Sequence, residues 1–360
     1  MQIITVGKNE EGQRLDRILI RLLPNAGKGL LFKMLRKKNI VLNGKKAEGS
    51  ERLEPGDEIK MFFSDESYAK LSGRETAGLA ETDGNRPASA NSETTDNKYR
   101  NKDLADKLRS MIVYEDDDVV IIDKPKGVLS QKAENTDISL NEMLIAYMLD
   151  KGELSKEQMA TFKPSMCNRL DRNTSGLICG GKTLKGLRGL SELFRSRDLD
   201  KYYLCIVKGK IEKSQRIEGY LIKDEASNKV FVKPVSGYDA DNAKDKATKE
   251  TDTKETDTKE SKIVTEYKPL SYCEGCTLLE VKLITGKSHQ IRAHLASIGH
   301  PLAGDMKYGD EMFNREVRDK HKIKSQVLRA YRMVFPKDCG ELVQLGGKEI
   351  ILNKTDEFFV

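Results

Sequence analysis

Two polar, low-complexity stretches limit the ways in which this chain can fold. Residues 65–105 and 237–261 are rich in Ser, Thr, Asn, Asp, Glu, Lys and Gly, and the second repeats Thr-Lys-Glu-Thr-Asp at 248–252 and 253–257. Such segments bury too little apolar surface to offset the entropy that is lost on ordering. We therefore predict a flexible linker at 65–105 and a low-complexity surface insertion at 237–261, which leaves 1–64 and 106–360 as the folded domains.

The first domain carries most of the excess positive charge. Residues 1–60 contain 13 Lys and Arg against 8 Asp and Glu, while the whole chain has a formal net charge of +6. The apolar pattern predicts helices at 14–23 and 28–38, strands at 40–42 and 59–63, and turns at 43–44 and 54–57. A small, basic α/β domain of this kind indicates a polyanionic partner.

Strands predominate in the second domain. The pattern predicts a helix at 139–149 and strands at 119–123, 176–179, 202–208, 230–232, 263–267, 277–284 and 330–335. Many of these strands are joined by short turns. We therefore expect an α+β fold with a mixed, largely antiparallel sheet.

Neither a membrane segment nor a secretory leader is predicted. The chain contains no apolar run of about 18 residues, and its first residues lack a basic start followed by an apolar stretch. We expect a cytoplasmic protein that does not insert into membranes.

One carboxylate stands between two arginines at residues 168–177. Cations beside Asp171 would keep it ionised, which suits a nucleophile or a base. A structural loop, with the aspartate capping backbone amides, is the alternative that these residues leave open. The same four letters, Arg-Leu-Asp-Arg, occur at 14–17 directly before a predicted helix. Asp16 is therefore expected to be a first-turn acid that the helix dipole favours, without a catalytic role.

Residues 285–295 join a predicted strand to a short helix. The spacing of His289 and His294 is poor for binding a metal. We predict instead that Lys287 and Ser288 contact phosphate together with the exposed helix amides, and that Arg292 points inward at a carboxylate. A solvated cationic turn is the alternative.

Two further segments allow a functional and a structural interpretation. In the strand that begins at Lys201, one tyrosine should face each side, and Tyr203 can either stack on a base or pack in the core. Cys273 and Cys276 could suggest zinc, but a metal site needs four ligands, and no second Cys/His pair lies at a familiar spacing. The intervening Glu-Gly predicts a two-residue hairpin turn with incidental cysteines.

Several of these segments occur together in one order that resembles the RluA-like family of pseudouridine synthases. Arg-Leu-Asp-Arg-Asn-Thr-Ser-Gly at 169–176 is similar to the catalytic signature of that family. Lys-Tyr-Tyr-Leu at 201–204 is similar to its tyrosine motif, and 285–295 followed by 299–309 to its third motif. The resemblance covers most of residues 110–335, and it departs from the common pattern at Asn168, Asn173 and Lys287-Ser288.

The resemblance implies a fold, an activity and a site. It implies an isomerase that flips a uridine out of structured RNA and rearranges it to pseudouridine without a cofactor or a metal. Asp171 would start the reaction, Arg292 would pair with Asp171, and Tyr203 would stack on the flipped base. Large-subunit (23S) ribosomal RNA is the favoured substrate, and a monomer is expected.

Residues 13–63 resemble the α-L RNA-binding module, which places further basic residues on the RNA. In the first domain the predicted RNA contacts are Arg14, Lys28, Lys33, Arg36, Lys37, Lys38 and Lys45. In the second they are Lys124, Lys126, Arg169, Arg172, Lys201, Lys287, His289 and Gln290. These contacts would supply salt-dependent affinity with little sequence preference.

Three other functions remain open at this point. The first is a transfer-RNA pseudouridine synthase of the same family. The second is a non-catalytic factor that binds ribosomal RNA or assists ribosome assembly. The third, a zinc-dependent base-modifying enzyme built on Cys273 and Cys276, is the least favoured.

Overall fold

The computed structural model describes residues 1–7, 9–73, 102–134, 136–155, 158–224, 229–234 and 260–353. Most of the predicted linker and nearly all of the predicted insertion, including its tandem repeat, lie outside these residues. The chain divides into two compact units, one formed by 1–121, 131–167 and 179–191, and the other by 122–130, 168–178 and 192–360. This division differs from the predicted one, which separated 1–64 from 106–360.

The N-terminal part of the first unit has two helices beside a small antiparallel sheet. The helices are α1 (Leu15–Leu22) and α2 (Lys28–Arg36), and the strands are β1 (Gln2–Thr5), β2 (Ile40–Leu42), β3 (Lys45–Lys46) and β4 (Glu58–Met61). The sheet order is β1-β4-β2-β3. Leu15, Ile18, Leu19 and Leu35 lie in its core together with Ile59. The predicted helices and strands are confirmed, but β1 and β3 were not predicted.

The two ends of the predicted linker are helical. Helix α3 (Asp65–Ser72) begins after Ser64, whose hydroxyl accepts a hydrogen bond from the amide of Ser67. Helix α4 (Lys102–Arg109) buries Leu104 and Leu108. The apolar residues in these two helices are too few to have stood out from their polar surroundings.

The rest of the first unit surrounds one buried helix. Its elements are β5 (Ile112–Glu115), the first half of β6 (Val119–Lys124), α5 (Leu140–Asp150), β7 (Ser165–Met166), the end of β8 (Ser175–Gly181) and most of α6 (Leu184–Ser196). Helix α5 begins with a capping box. The hydroxyl of Ser139 accepts a hydrogen bond from a backbone amide of the first turn, and the carboxylate of Glu142 accepts one from the backbone amide of Ser139. Helix α5 was predicted, whereas α6 was not.

The second unit is built on a mixed sheet. The order of its strands is β11-β10-β12-β13-β9-β14-β8, and β15 pairs with β14. The strands not yet defined are β9 (Asp200–Lys208), β10 (Gln215–Asp224), β11 (Lys229–Pro234), β12 (Ser261–Cys273), β13 (Cys276–Leu283), β14 (Leu328–Val334) and β15 (Glu349–Ile351). Strands β14 and β8 are parallel, and the pairs from β11 to β14 are antiparallel. The predicted α+β class and mixed, largely antiparallel sheet are confirmed, although strands β10 and β15 were not predicted.

Two positions in this sheet depend on an unusual backbone conformation. Cys273 and Cys276 face each other across the predicted turn, where Glu274 and Gly275 both have positive φ angles. The predicted hairpin turn at Glu274-Gly275 is therefore confirmed.

Gly176, with φ of 110°, lets β8 approach β14, since a Cβ there would lie 2.1 Å from the carbonyl oxygen of Ala330.

Two helices complete the second unit. Helix α7 (Gln290–Ser297) packs against β10, β11 and β12, and α8 (Glu311–His321) begins at Asp310, whose side chain caps it. Ala293 of α7 packs with Leu221, Val230 and Ile263. Among the helices in the described ranges, none combines the length and the apolar character needed to cross a bilayer.

Candidate active site

A loop at residues 124–130 fixes the backbone on both sides of Asp171. Ser130 donates its hydroxyl to the carbonyl of Leu170 (3.0 Å) and accepts from the amide of the same residue (3.1 Å). The carbonyl of Arg172 accepts from the amide of Gly127 (2.8 Å) and from the ammonium of Lys124 (3.0 Å). The backbone around the carboxylate is therefore held on both sides.

Arg292 binds the carboxylate of Asp171. Its Nη1 lies 2.7 Å from Oδ2 of Asp171, although the two residues are 121 positions apart in the sequence. Arg292 lies in the first turn of α7 and is largely buried, with a side chain that is 9% exposed, while Asp171 is 25% exposed. The predicted ion pair is confirmed, and the carboxylate remains accessible from one side.

A second carboxylate holds the other edge of the same guanidinium. Asp305 accepts hydrogen bonds from Nε and Nη2 of Arg292, at 2.7 and 2.8 Å. Its own side chain is fully buried. Arg292 therefore links one buried and one accessible carboxylate, and the bidentate contact fixes its plane.

Tyr308 and His289 lie beside this cluster. The ring of Tyr308 lies 5.1 Å from the guanidinium carbon of Arg292, and its hydroxyl is 2.8 Å from Nδ1 of His289. The tyrosine hydroxyl also accepts from the amide of Val230 at 3.1 Å. Nε2 of His289 lies 3.9 Å from Oδ1 of Asp171. The imidazole thus lies at the side of Asp171 that Arg292 does not contact.

Burial and charge together set the ionisation of these groups. Burial acts to lower the pKa of Arg292, but the hydrogen bonds and charges of Asp305 and then Asp171 outweigh it and raise that pKa. Burial acts to raise the pKa of Asp305, yet its contact with Arg292 keeps that pKa low. Burial also lowers the pKa of His289; Asp171 opposes this shift, while Arg292 and Lys307 reinforce it. At neutral pH the site holds a charged Asp305–Arg292 pair beside a neutral imidazole.

Tyr203 lies in the same apolar cluster as the neighbours of the paired residues. It is 6% exposed and belongs to the cluster that also contains Leu170, which precedes Asp171, and Ile291, which precedes Arg292. Tyr202 faces the other side of the strand, where its ring lies 4.3 Å from the guanidinium carbon of Arg332. The predicted alternation of the two tyrosines is confirmed, and the stacking of Tyr203 on a base stays a prediction.

Three of the residues predicted to contact RNA are buried in this structure, and their contact with RNA stays a prediction. The ammonium of Lys124 donates to three backbone carbonyls, and burial lowers its pKa to about 8 against the opposing charge of Asp171. Gln290 is bonded through its side-chain amide to residues of the preceding loop and of β12. Lys201 is 8% exposed and lies over the ring of Phe194. Each polar group is used inside the protein, which the sequence pattern alone does not reveal.

The other predicted RNA-binding residues have accessible side chains. In the second unit Arg169, Arg172 and Lys287 are exposed, and Lys126 and His289 are partly exposed. Those of the first unit are all exposed: Arg14, Lys28, Lys33, Arg36, Lys37, Lys38 and Lys45. Their contact with RNA stays a prediction.

Sequence reasoning gave no role to Asp305 or Tyr308. Both lie within the Gly-bounded segment 304–309, which contributed to the resemblance only as a motif. A signal was present, because an arginine that is buried against one carboxylate has donors left over and requires a second acceptor. The sequence could not show which of the many acidic residues would supply it.

Comparisons with known proteins identify the family to which this chain belongs. Residues 118–297 match the family model described as RNA pseudouridylate synthase. The chain is 30% identical over 340 residues to an uncharacterized RNA pseudouridine synthase of Mycoplasma genitalium, which covers 92% of this chain and 88% of the relative. It is 32% identical to ribosomal large subunit pseudouridine synthase C of Rickettsia bellii, over 86% of each chain, and 26% identical to that of Escherichia coli, over 89% of this chain and 83% of the relative.

A solved structure shows the same fold. Human RNA pseudouridylate synthase domain containing 4 aligns with a TM-score of 0.52 and 21% identity, over 69% of this chain and 90% of that chain. Fold, family model and relatives together define the class of this protein, which is an RNA-modifying isomerase. More particularly, the chain belongs to the RluA-like family of RNA pseudouridine synthases.

Proposed function

We propose that this enzyme converts uridines of large-subunit ribosomal RNA to pseudouridine, with Asp171 as the essential carboxylate. The observation that carries this proposal is the accessible Asp171, bound on its inner side by Arg292 at 2.7 Å. The ribosomal substrate is supported by relatives whose names state that specificity. The basic helices of the first unit offer exposed side chains for phosphate contacts.

The chemistry moves one bond within the same nucleotide. The bond between N1 of uracil and C1′ of the ribose breaks, and a bond between C5 and C1′ forms. C5 loses its proton and N1 gains one, so that the atoms balance without an oxidant or a reductant. A base inside a stacked helix cannot expose its glycosidic bond in this way, and the nucleotide must first be flipped out.

Asp171 has two ways to start the reaction, and both return it as a free carboxylate. It can attack C1′ and form a temporary ester bond, or it can remove the proton of C2′ and later return it. In both routes the electron pair of the broken bond stays on N1 of the departing uracil. Arg292 orients the carboxylate for either step.

His289 and Tyr203 are proposed to act on the base. The imidazole of His289 lies at the side of Asp171 opposite Arg292, where it can hydrogen-bond the uracil or the ribose. Tyr203 lies in the apolar cluster that contains Leu170, the residue before Asp171, and its ring can stack on the flipped uracil, with a contribution of about 1–3 kcal/mol. This stacking requires the pocket to open enough to expose the ring.

The substrate is tested by mapping pseudouridine in cells with and without the gene. Carbodiimide-dependent primer stops are recorded across the large-subunit and small-subunit ribosomal RNAs and the transfer RNAs, with a strain that carries the Asp171→Asn variant as the matched control. We expect stops in 23S RNA to disappear in both mutant strains. Stops lost only from transfer RNA would overturn the ribosomal assignment, and stops that persist with the variant would overturn the role of Asp171.

A further inference from the structure

We propose that Asp305 is a positioning residue, a permanent counter-charge that keeps the guanidinium of Arg292 aimed at Asp171 through the whole reaction. This inference rests on the proposed role of Asp171 as the reacting carboxylate. It assigns to Asp305 a function in the chemical step, although Asp305 itself never reaches the RNA.

The division of the guanidinium between the two carboxylates carries the inference. Asp305 takes Nε and Nη2, which leaves the Nη1 edge for Asp171. Asp305 is fully buried and Arg292 nearly so, whereas a quarter of Asp171 is exposed. The three groups thus form a line from the interior to the surface, and only its outer end is open to substrate.

The carboxylate of Asp305 is itself fixed by the backbone around it. Its Oδ1 accepts from the amides of Lys307 and Tyr308, at 2.9 and 3.1 Å. Its carbonyl accepts from the amide of Gly309 and from the side chain of Asn314, at 2.8 and 2.9 Å. A charge held in this way does not follow Arg292; instead, Arg292 must adopt the orientation that Asp305 sets.

The charge balance explains why a second carboxylate is needed. When Asp171 forms a bond to C1′ or takes up the C2′ proton, its negative charge passes to the departing uracil. Without Asp305, Arg292 would then be a buried cation with no fixed partner, which is costly in a low-dielectric interior. With Asp305, the inner pair stays neutral at every stage, so Arg292 keeps a fixed partner when the negative charge leaves Asp171.

Asp305→Asn is the direct test, because it removes the charge and keeps the shape. Release of tritium from C5 of labelled substrate RNA gives the single-turnover rate, and filter binding gives the RNA affinity. We expect the rate to fall about 10- to 100-fold, the scale on which losing a residue that orients a metal ligand lowers activity. We expect the RNA affinity to change less than twofold, because Asp305 is buried.

Asp310→Asn is the matched control. Asp310 lies five residues further on, pairs with Lys208, and caps helix α8 by accepting from the amide of Phe313, a role that asparagine can keep. This variant should retain the wild-type rate. Equal rates for the variants at 305 and 310 would overturn the inference.

A double-mutant comparison separates positioning from a merely structural role. If Asp305 acts through Arg292, then adding Asp305→Asn to Arg292→Gln should lower the rate no further, within about twofold. A further loss of tenfold or more would overturn the inference, because it would show that Asp305 acts independently of Arg292. The double variant contains neither buried charge, so it remains measurable even if Asp305→Asn alone does not fold. In that case Asp305→Glu, which keeps the charge but displaces the carboxylate, replaces it as the single variant and should be slowed at least fivefold.

Asp171→Asn distinguishes this inference from the proposed function. If that variant stays active, the proposed role of Asp171 fails, and the inference fails with it. If it is inactive while the variants at 305 and 310 have equal rates, only the inference about Asp305 fails.

Discussion

The two Arg-Leu-Asp-Arg segments contain the same four residues in two different environments. Asp16 binds the guanidinium of Arg14, two positions earlier, with Oδ2 and Nη2 2.8 Å apart, and Arg14 is 47% exposed. Asp171 binds Arg292 from another element, and that arginine is largely buried. The hydrogen bond from Arg14 lowers the pKa of Asp16. This ion pair joins two residues of the same short segment and does not connect different elements of the fold.

The difference shows that the Arg-Leu-Asp-Arg motif alone does not define a catalytic site. The segment at 14–17 leads into α1, and the amide of Asp16 binds the carbonyl of Gly49, so this aspartate serves the fold of the first unit. The segment at 169–172 ends in a turn in which the amide of Thr174 binds the carbonyl of Asp171. This turn leaves the carboxylate accessible, and a distant, buried arginine gives it a direction.

The largest expected difference is in catalysis. Asp171→Asn should lower the single-turnover rate about 1,000-fold or more, the scale of losing an essential catalytic group, while binding of substrate RNA is kept. Asp16→Asn makes the same chemical change and should leave the rate within twofold of wild type. Tritium release from C5-labelled RNA measures both. The comparison breaks down if the two variants lose similar amounts of activity.

The second expected difference is in stability towards acid, since all four histidines lie between residues 289 and 321. Burial lowers the pKa of His294 to about 4, below the unfolded value of about 6.5. The unfolded chain therefore binds the proton first, and about 3 kcal/mol of stability is lost as the pH falls from about 6.5 to about 4. The loss is measured by urea unfolding of the second unit at pH 6.5 and 5.0, with hydrogen exchange of the amides in α7 as the probe.

Two variants serve as controls for this acid effect. His294→Gln should flatten the pH dependence of stability, while His321→Gln, at an exposed position, should leave it unchanged. Helix α1, whose segment contains no histidine, should lose less protection than α7 over the same pH interval. Equal losses in both helices would show that the acid effect is not centred on His294.

The third expected difference concerns the arginine partners. Arg292→Lys keeps the charge, but an ammonium cannot bind two carboxylates in the plane that the guanidinium defines. We expect the rate to fall about 100-fold, the scale of losing one oriented donor. Arg14→Lys, the matched change in the exposed pair, should leave the rate unchanged. An Arg292→Lys enzyme with wild-type activity would show that charge alone is sufficient.

The smallest expected effect is on RNA binding. Replacing Lys33, Arg36 and Lys37 of α2 and its C-terminal end by Gln should reduce the slope of log affinity against log salt by about two to three, with the rate at saturating RNA unchanged. The control replaces Lys320, Lys322 and Lys324 by Gln, which changes the net charge equally. Equal slopes for the two triple variants would mean that net charge, rather than the α2 surface, controls binding.

Prediction from the sequence succeeded where the signal is local. The apolar spacing of α1, α2 and α5 and the Glu274-Gly275 turn each depend on neighbouring residues, and each is present in the structure. Strand β10 was missed because it alternates polar and apolar residues only partly, and α6 because glycines interrupt its leucine repeat. In both cases packing against neighbouring elements outweighs a weak local preference.

The sequence does not show which of the predicted site residues are buried. Lys124 and Lys201 have the same chemical character as Lys287, yet two of these lysines are buried and one is exposed. The sequence contains 63 Lys and Arg, and no local pattern separates those that bind backbone carbonyls or cover an aromatic ring from those that face solvent.

The amino-acid sequence by itself determined the elements, the class of fold and the pairing of Asp171 with Arg292, because those follow from periodicity, turn chemistry and a family resemblance. The tertiary structure alone decided that Asp305 binds the other edge of Arg292 and that the ammonium of Lys124 binds backbone carbonyls of the loop beside Asp171. Burial is the physical reason, since a buried charge must find a partner wherever the fold supplies one. That partner can come from any part of the chain.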